Sequence, residues 1–363
     1  MKIVCVVYLH GAGGAERQII MLANAMAKRK HQVHLLVVAD NNLRYDIDED
    51  VIIHDLTECE AKPGNRIINR FMSLRKALKE IKPDISIHYW FQSAYFCALM
   101  PQKITGLILY SERGNPGDDE YSGLLKYIRY FAIKRIDAFV FQSEGAQEFF
   151  DNSVKERSIV IHNSVAVPKN QYVVPCKNRE KRIVNIGRLH EQKNQKLLIE
   201  AFSIIADRIP EYILEIYGDG KMKDILTRQI KELSLENQIF LKGTRRDILD
   251  CIYSASLFVL SSDYEGMPNA LMEAMAIGVP SISTDCKPGG ARTLVDDGIN
   301  GWITPLGDVD ALSQKMLYVI RNREVAERVA MESIKIRRTH SNIEIFDQWE
   351  NFIFGALKNR KKK

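Results

Sequence analysis

Two glutamates, Glu265 and Glu273, lie with seven residues between them in the stretch SSDYEGMPNALMEAMAIGVPSIS at 261–283. The preceding SLFVLSS at 256–262 reads as a buried strand. Pro268 suits the first turn of a following helix, and Gly278 its end. Gly266, Met267, Pro268, Asn269 and Ala270 then form a helix N-terminus, where free backbone N–H groups and the positive end of the helix dipole favour a phosphate without a metal. Glu265 is placed in the loop at the rim of such a pocket. Glu273 is placed about a turn and a half inside, where a carboxylate accepts hydrogen bonds from vicinal hydroxyls such as those of a ribose. The pair suits a nucleotide diphosphate; the alternative is a helix-start carboxylate and a solvated one.

A second constellation, VNIGRLHEQKNQKLLIEAF, puts Gly187, Arg188 and Lys193 at a strand end and the start of the next helix. An arginine fork and a lysine point charge neutralise the leaving charge of a diphosphate; a surface salt-bridging turn is the alternative. EIYGDG at 215–220 and LKGTRRD at 241–247 end two further strands with glycine, where backbone groups can meet the edge of a base. The first strand ends in LHGAGGAERQ, whose Gly11, Gly13 and Gly14 permit a tight turn and approach to a phosphate, or only a turn from strand to helix. A dinucleotide fingerprint begins there but is broken at Glu16, so Asp40 after the second strand is poor support for ribose binding. The aspartate pairs Asp46/Asp48, Asp48/Asp50 and Asp308/Asp310 are explained by capping and solvation, and neither metal nor cofactor is expected.

The elements that must position these residues alternate strand and helix throughout. KIVCVVY, QVHLLVV, VIIHDL, DISIHYW, LILYSE, AFVFQSE and SIVIHN punctuate the first 165 residues; RIVNIGR, YILEIYG, IFLKG, LFVLSS and VPSIST form a second series. The expected fold is α/β: two doubly wound Rossmann-like domains facing across a cleft at the carboxyl ends of their strands. Residues 1–165 form the first, 166–181 a linker, 182–340 the second and 341–363 a final helix with a basic tail.

With 363 residues, 46% of them hydrophobic, the chain can bury two cores. No run approaches the roughly 20 apolar residues of a membrane span. MKIVCVVYLHGAGG enters a strand without a cleavage-site pattern, so a cytoplasmic protein is expected. The six cysteines form no C-x-x-C pair and read as buried thiols. The net charge of +5 is uneven: RIINRFMSLRKALKEIK at 66–82 carries six cations and one acid, with Ile67, Phe71, Leu74, Leu78 and Ile81 on one helical face. LLKYIRYFAIKRI at 124–136 has Lys126, Arg129, Lys134 and Arg135 among aromatics, and the tail ends KNRKKK. Such segments rest on an anionic bilayer or are ordinary solvated faces. No nucleic-acid motif accompanies the charge.

These residues resemble the retaining glycosyltransferases of family 4, with the GT-B fold. The resemblance rests on Glu265 to Glu273 in EGMPNALMEAMAIGVP, GGAE at 13–16, GRLHEQKN at 187–194, YGDG at 217–220 and GINGWITP at 298–305. It implies that Arg188 and Lys193 hold the diphosphate of a nucleotide-sugar donor, a UDP-sugar by resemblance alone, and that Glu273 holds the ribose. Glu265 would contact the transferred sugar, Gly13 and Gly14 approach the donor phosphate or reacting centre, and Thr244 and Arg245 border the base. The last helix would cross back onto the first domain. The likeness is to bacterial enzymes that lengthen lipid-linked saccharides for capsule, O-antigen or glycoprotein glycans at the cytoplasmic membrane face. Arg66, Arg70 and Arg75 are then candidates to meet a polyprenyl diphosphate. Many relatives place a histidine after the fifth strand, where this chain has Glu112 and Arg113. Arg113 stays protonated, so it would bind donor or acceptor oxygens or pair with Glu112. His88, ending DISIHYW, either faces the cleft or is structural. The alternative class is a noncatalytic nucleotide-sugar-binding or scaffold subunit, against which the intact Arg188, Lys193, Glu265 and Glu273 argue.

Overall fold

A computed structural model of the protein describes residues 1–8, 13–39, 45–114, 116–117, 124–165 and 173–360. Gly11, Asp40, the first part of the expected linker (166–172), the side chain of Lys126 and the last three lysines lie outside the described residues. The chain divides into two compact units, Met1–Ser164 with Asn342–Lys363, and Val165–Ser341.

The first unit holds a parallel sheet of β1 (Lys2–Val7), β2 (Gln32–Val37), β3 (Val51–Asp55), β4 (Ile85–His88), β5 (Leu107–Ser111), β6 (Ala138–Phe141) and β7 (Ser158–Val160), in the order β3-β2-β1-β4-β5-β6-β7. The second holds β8 (Glu180–Ile186), β9 (Ile213–Tyr217), β10 (Ile239–Gly243), β11 (Ala255–Leu260), β12 (Ser281–Thr284) and β13 (Trp302–Thr304), in the order β10-β9-β8-β11-β12-β13. Helices cover both faces of such sheets, which is why the central strands are near-continuous apolar runs. In β1, Ile3, Cys5 and Val7 join one core with Ile19, Ile20 and Met26, while Val4 and Val6 join another with Leu74, Leu78 and Phe139. The strand order reverses between β1 and β4 and between β8 and β11, so each sheet has a switch point where neighbouring loops part and leave room for a ligand.

Three details depart from the sequence reading. β13 went unread, because WIT is only three residues long and sits between glycine and proline. The helix Arg66–Ile81 buries Leu74, Ala77, Leu78 and Ile81 and packs a half-buried Phe71 on the same core, but Ile67 is 51% exposed and Ile68 and Met72 lie exposed beside it, so the apolar stripe leaves the core in its first turns. The expected linker ends earlier than 181: Cys176–Asn178 makes a single turn and β8 begins at Glu180.

The final helix, Asn342–Arg360, packs onto the first unit, with Ile345, Phe346, Trp349 and Ile353 entering the core that contains β1. Polar contacts fix its register: Arg29 pairs with Asp347 and, at 3.2 Å, with Glu350, and His31 Nε2 lies 2.6 Å from the Glu350 carboxylate.

Candidate functional site

The second unit's switch point brings together the loops that carry Arg188, Lys193, Glu265 and the start of the helix with Glu273. β8 ends at Ile186 and leads into the loop 187–194; β11 ends at Leu260 and leads into 261–268. The two loops are joined by backbone and side chains. Asp263 N donates to Gln192 O at 2.9 Å, Gln192 Nε2 to Tyr264 O at 2.9 Å, Asn194 Nδ2 to Asp263 Oδ1 at 2.7 Å and Ser261 Oγ to Lys193 O at 2.9 Å. Asn194 also caps the next helix, Gln195–Ile205, accepting from Leu197 N at 3.2 Å. This network delivers Lys193 Nζ onto the carboxylate of Glu265, which also accepts from Ser262 Oγ at 2.7 Å. Glu265 is buried and Lys193 half-buried, so the ion pair is largely shielded from water. Lys193 is therefore not a solvated cation waiting for a ligand; its charge is shared with Glu265. Arg188 is exposed and makes no ion pair among the described residues, while its carbonyl accepts from Gln195 Nε2 at 3.0 Å.

Behind the loop stands the helix Asn269–Ala276. Pro268 lies one position outside it, not in its first turn: its extended ψ of 96° makes it the N-cap, and its carbonyl takes the first helical bond, from Met272 N at 3.1 Å. Gly266, Met267 and Pro268 are buried, and Asn269 and Ala270 half-buried, at this N-terminus. Glu273 is buried one turn further on. The loop carrying Glu265 is braced from the far side by Lys287, whose carbonyl accepts from Glu265 N at 2.8 Å. The KPGG run at 287–290 was a legible signal that sequence reasoning passed over.

The three glycine-ended strands meet at the same end of the sheet. Gly187 N donates to Tyr217 O at 3.0 Å, and Gly218 N to Gly243 O at 2.9 Å. Gly218 has φ 142°, and a Cβ there would fall 1.9 Å from Gly187 O, so only glycine allows the two loops this approach. Thr244 and Arg245 follow on an exposed loop, where Arg245 faces Asp247 at 3.2 Å.

In the first unit, Gly13 caps the helix Gly14–Lys28, and the Glu16 carboxylate returns to accept from Gly13 N at 2.5 Å. That one-way contact to the backbone of the N-cap accounts for the glutamate in GGAE. Arg113 is turned onto protein groups: its guanidinium lies 3.8 Å from the centre of the Tyr89 ring and 5.6 Å from that of Trp349, and Nη1 donates to Asn163 Oδ1 at 2.7 Å. It does not pair with Glu112 through its side chain; Glu112 instead accepts from Tyr110 OH at 3.0 Å and from the backbone N–H groups of Arg113 and Gly114 at 3.1 Å. His88 is fully buried with Nδ1 3.0 Å from Ser93 Oγ, and burial pushes its pKa down to about 3. It is a neutral core histidine. Among the basic helix residues, Arg66 is exposed and Arg75 half-buried. Arg70 is held by both carboxylate oxygens of Glu60 and by Gln92 at 3.2 Å, and lies 5.6 Å from the Tyr8 ring centre. Glu60 sits outside the window in which the sequence showed one acid.

Comparison with known proteins agrees with this architecture. Residues 12–167 match the family described as Glycosyltransferase Family 4, and residues 168–335 match Glycosyl transferases group 1. The chain is 27% identical to the N-acetylgalactosamine-N,N'-diacetylbacillosaminyl-diphospho-undecaprenol 4-alpha-N-acetylgalactosaminyltransferase of Campylobacter jejuni, over 92% of this chain and 96% of that one. Its fold is shared with a crystal structure of Anabaena Alr3699/HepE in complex with UDP (TM-score 0.78, 19% identity, 98% of this chain and 100% of that one). It is shared equally with S. aureus TarM (TM-score 0.81, 16% identity, 97% and 98%).

Proposed function

Because the chain belongs to the family 4 glycosyltransferases of GT-B fold, we propose that it moves a hexose or N-acetylhexosamine from a nucleotide diphosphate sugar, a UDP-sugar first, to a glycan acceptor carried on a polyprenyl diphosphate. The observation that carries this reading is the switch-point constellation of Arg188, the Lys193–Glu265 pair and the Asn269–Ala276 helix with Glu273 behind it. In this proposal the helix N-terminus and Arg188 hold the diphosphate, Lys193 bridges it to Glu265, and Glu273 receives the ribose hydroxyls. Arg188 and the helix N-terminus supply the positive charge that a metal would otherwise bring, the charge of Lys193 being shared with Glu265. Glu265 faces the transferred sugar. The bond from the sugar's anomeric carbon to the β-phosphate oxygen breaks, the acceptor oxygen bonds to that carbon on the same face, and the acceptor proton passes to the departing phosphate oxygen. The product retains configuration without a protein base, which agrees with a buried, neutral His88 and an Arg113 engaged in packing.

An acceptor on a lipid is supported by the Campylobacter relative, whose name specifies a diphospho-undecaprenol acceptor. It is supported too by the exposed Ile67, Ile68 and Met72 beside Arg66, and by exposed Tyr127, Tyr130 and Phe131 beside Lys134 and Arg135. No helix among the described residues is long and apolar enough to cross a membrane. The proposed association is therefore peripheral, at a cytoplasmic membrane face.

The test is a thermal-shift screen against UDP, GDP, ADP and their sugar conjugates, with and without EDTA, followed by transfer assays with the sugar that binds. Stabilisation by one nucleotide family that survives EDTA supports the donor site. No stabilisation by any of them moves the reading to a noncatalytic subunit.

A further inference from the structure

The helix that carries the proposed donor amides has eight residues, and a helix that short is not stable alone, so what holds its two ends decides where it sits. At its C-terminus, Gly278 takes φ 71°, Gly278 N donates to Met275 O at 3.0 Å and Val279 N to Ala274 O at 2.9 Å. This is a Schellman cap, and it satisfies two of the terminal carbonyls. Ile277 N closes on Glu273 O at 3.1 Å, which leaves Ala276 O to be served from elsewhere. Arg337 Nε donates to Ala276 O at 2.5 Å, and Arg179 Nη2 donates to Gly278 O at 2.5 Å while its Nη1 reaches Tyr253 O and Ala255 O. Ser333 Oγ adds a bond to Met275 O at 3.1 Å. Two guanidinium groups thus sit at the negative end of this helix, where cations are favoured.

Both arginines lie in the second unit, Arg179 just before β8 and Arg337 in the short helix Ile336–Thr339 near the end of that unit's chain. The chain enters the second unit at Val165 and leaves it at Ser341, and the two segments are tied by Val165 N donating to His340 O at 2.9 Å. Val173, on the entering segment, lies against Gly278 so closely that a Cβ there would meet its Cγ1 at 2.6 Å.

We propose that Arg179 and Arg337 are positioning residues: they clamp the carboxyl end of the Asn269–Ala276 helix to the first and last stretches of the second unit, and so set the place of the Asn269 and Ala270 amides and of Glu273. What the helix binds rests on the function proposed above; the clamp does not.

The experiment uses Arg337→Ala and Arg337→Lys in the full chain, since Arg337 is half-buried and each variant is expected to fold. Hydrogen exchange of the 269–278 segment in ligand-free protein should speed at least tenfold in Arg337→Ala, with β8 and β9 unchanged, and return towards wild type in Arg337→Lys. Calorimetry with UDP, GDP and ADP against their nucleosides should show about tenfold weaker diphosphate binding, an unchanged nucleoside affinity and recovery in the lysine variant. Unchanged exchange in Arg337→Ala, or equal loss of diphosphate and nucleoside affinity, overturns the clamp. A wild-type protein that binds none of the nucleotides counts against the proposed donor site alone, and the exchange result then decides this proposal.

Discussion

The side chains that matter at the residue scale are legible in type, but their partners are not. Lys193 and Glu265 are 72 positions apart, and nothing local to either dictates that the ammonium settles on the carboxylate. The pair also divides the labour of the two cations: with Lys193 already compensated, Arg188 is the one whose charge is open to a diphosphate. Arg188→Ala should weaken UDP binding by about 1.5–3 kcal/mol, the usual worth of hydrogen bonds to a charged group, and leave uridine binding unchanged, as measured by calorimetry. Equal loss for both would place Arg188 outside the diphosphate site. His88 illustrates the opposite error of reading chemistry into a residue type. Burial holds its folded-state pKa at about 3 against the usual 6.5, so between those values the unfolded chain binds a proton that the folded chain refuses. Its contribution to stability is complete above pH 6.5 and is lost as pH falls towards 3. His34, lowered to about 4 chiefly by burial and then by the neighbouring His54, acts in the same sense. Urea midpoints should therefore fall between pH 6.5 and 4, and His88→Gln should flatten that slope without abolishing it.

Elements are where sequence periodicity succeeds and fails for identifiable reasons. Twelve of the strands announced themselves as β-branched or aromatic runs between turn residues; the central ones are apolar throughout because they are covered on both faces, whereas the edge strands β3 and β10 are partly exposed. The helix Arg66–Ile81 shows the limit: its apolar stripe is continuous in sequence, yet packing on the core begins at Phe71 and leaves Ile67 exposed. Periodicity identifies a face, not how far the partner surface reaches. The YGDG glycines show a different limit, since their requirement is imposed by another loop. Gly218→Ala sets a Cβ against Gly187 O in a left-handed backbone region, and should cost about 2–4 kcal/mol of stability. Urea unfolding measures that loss; a variant within about 0.5 kcal/mol of wild type would mean that the loops can part without cost.

For the whole molecule, the consequence to test is partnership with a lipid surface. The exposed apolar and aromatic side chains of the helices Arg66–Ile81 and Leu124–Arg135 lie among cations, a composition that binds anionic bilayers through combined burial and charge. Co-sedimentation should show binding to vesicles containing phosphatidylglycerol, weaker binding to neutral vesicles, and at least a fivefold loss in an Ile67→Ser, Ile68→Ser, Tyr127→Ser, Tyr130→Ser variant of unchanged thermal stability. Equal binding by that variant would remove these faces from the proposal. The division of the chain follows the same logic as its parts. Alternating apolar runs and helical periods were enough to establish two parallel α/β sheets, and the glutamate pair, the GRLHEQKN loop and the terminal glycines were enough to mark one end of the second sheet, because each expresses a local rule of backbone geometry or charge. Only the tertiary structure decided that Lys193 neutralises Glu265, that Arg70 and Arg113 are spent on Glu60, Tyr89 and Trp349, and that Arg179 and Arg337 cap the site helix. Those are pairings between residues far apart in sequence, and the free energy of an ion pair or a capped carbonyl depends on which group the fold brings within about 3 Å and how much water it leaves there.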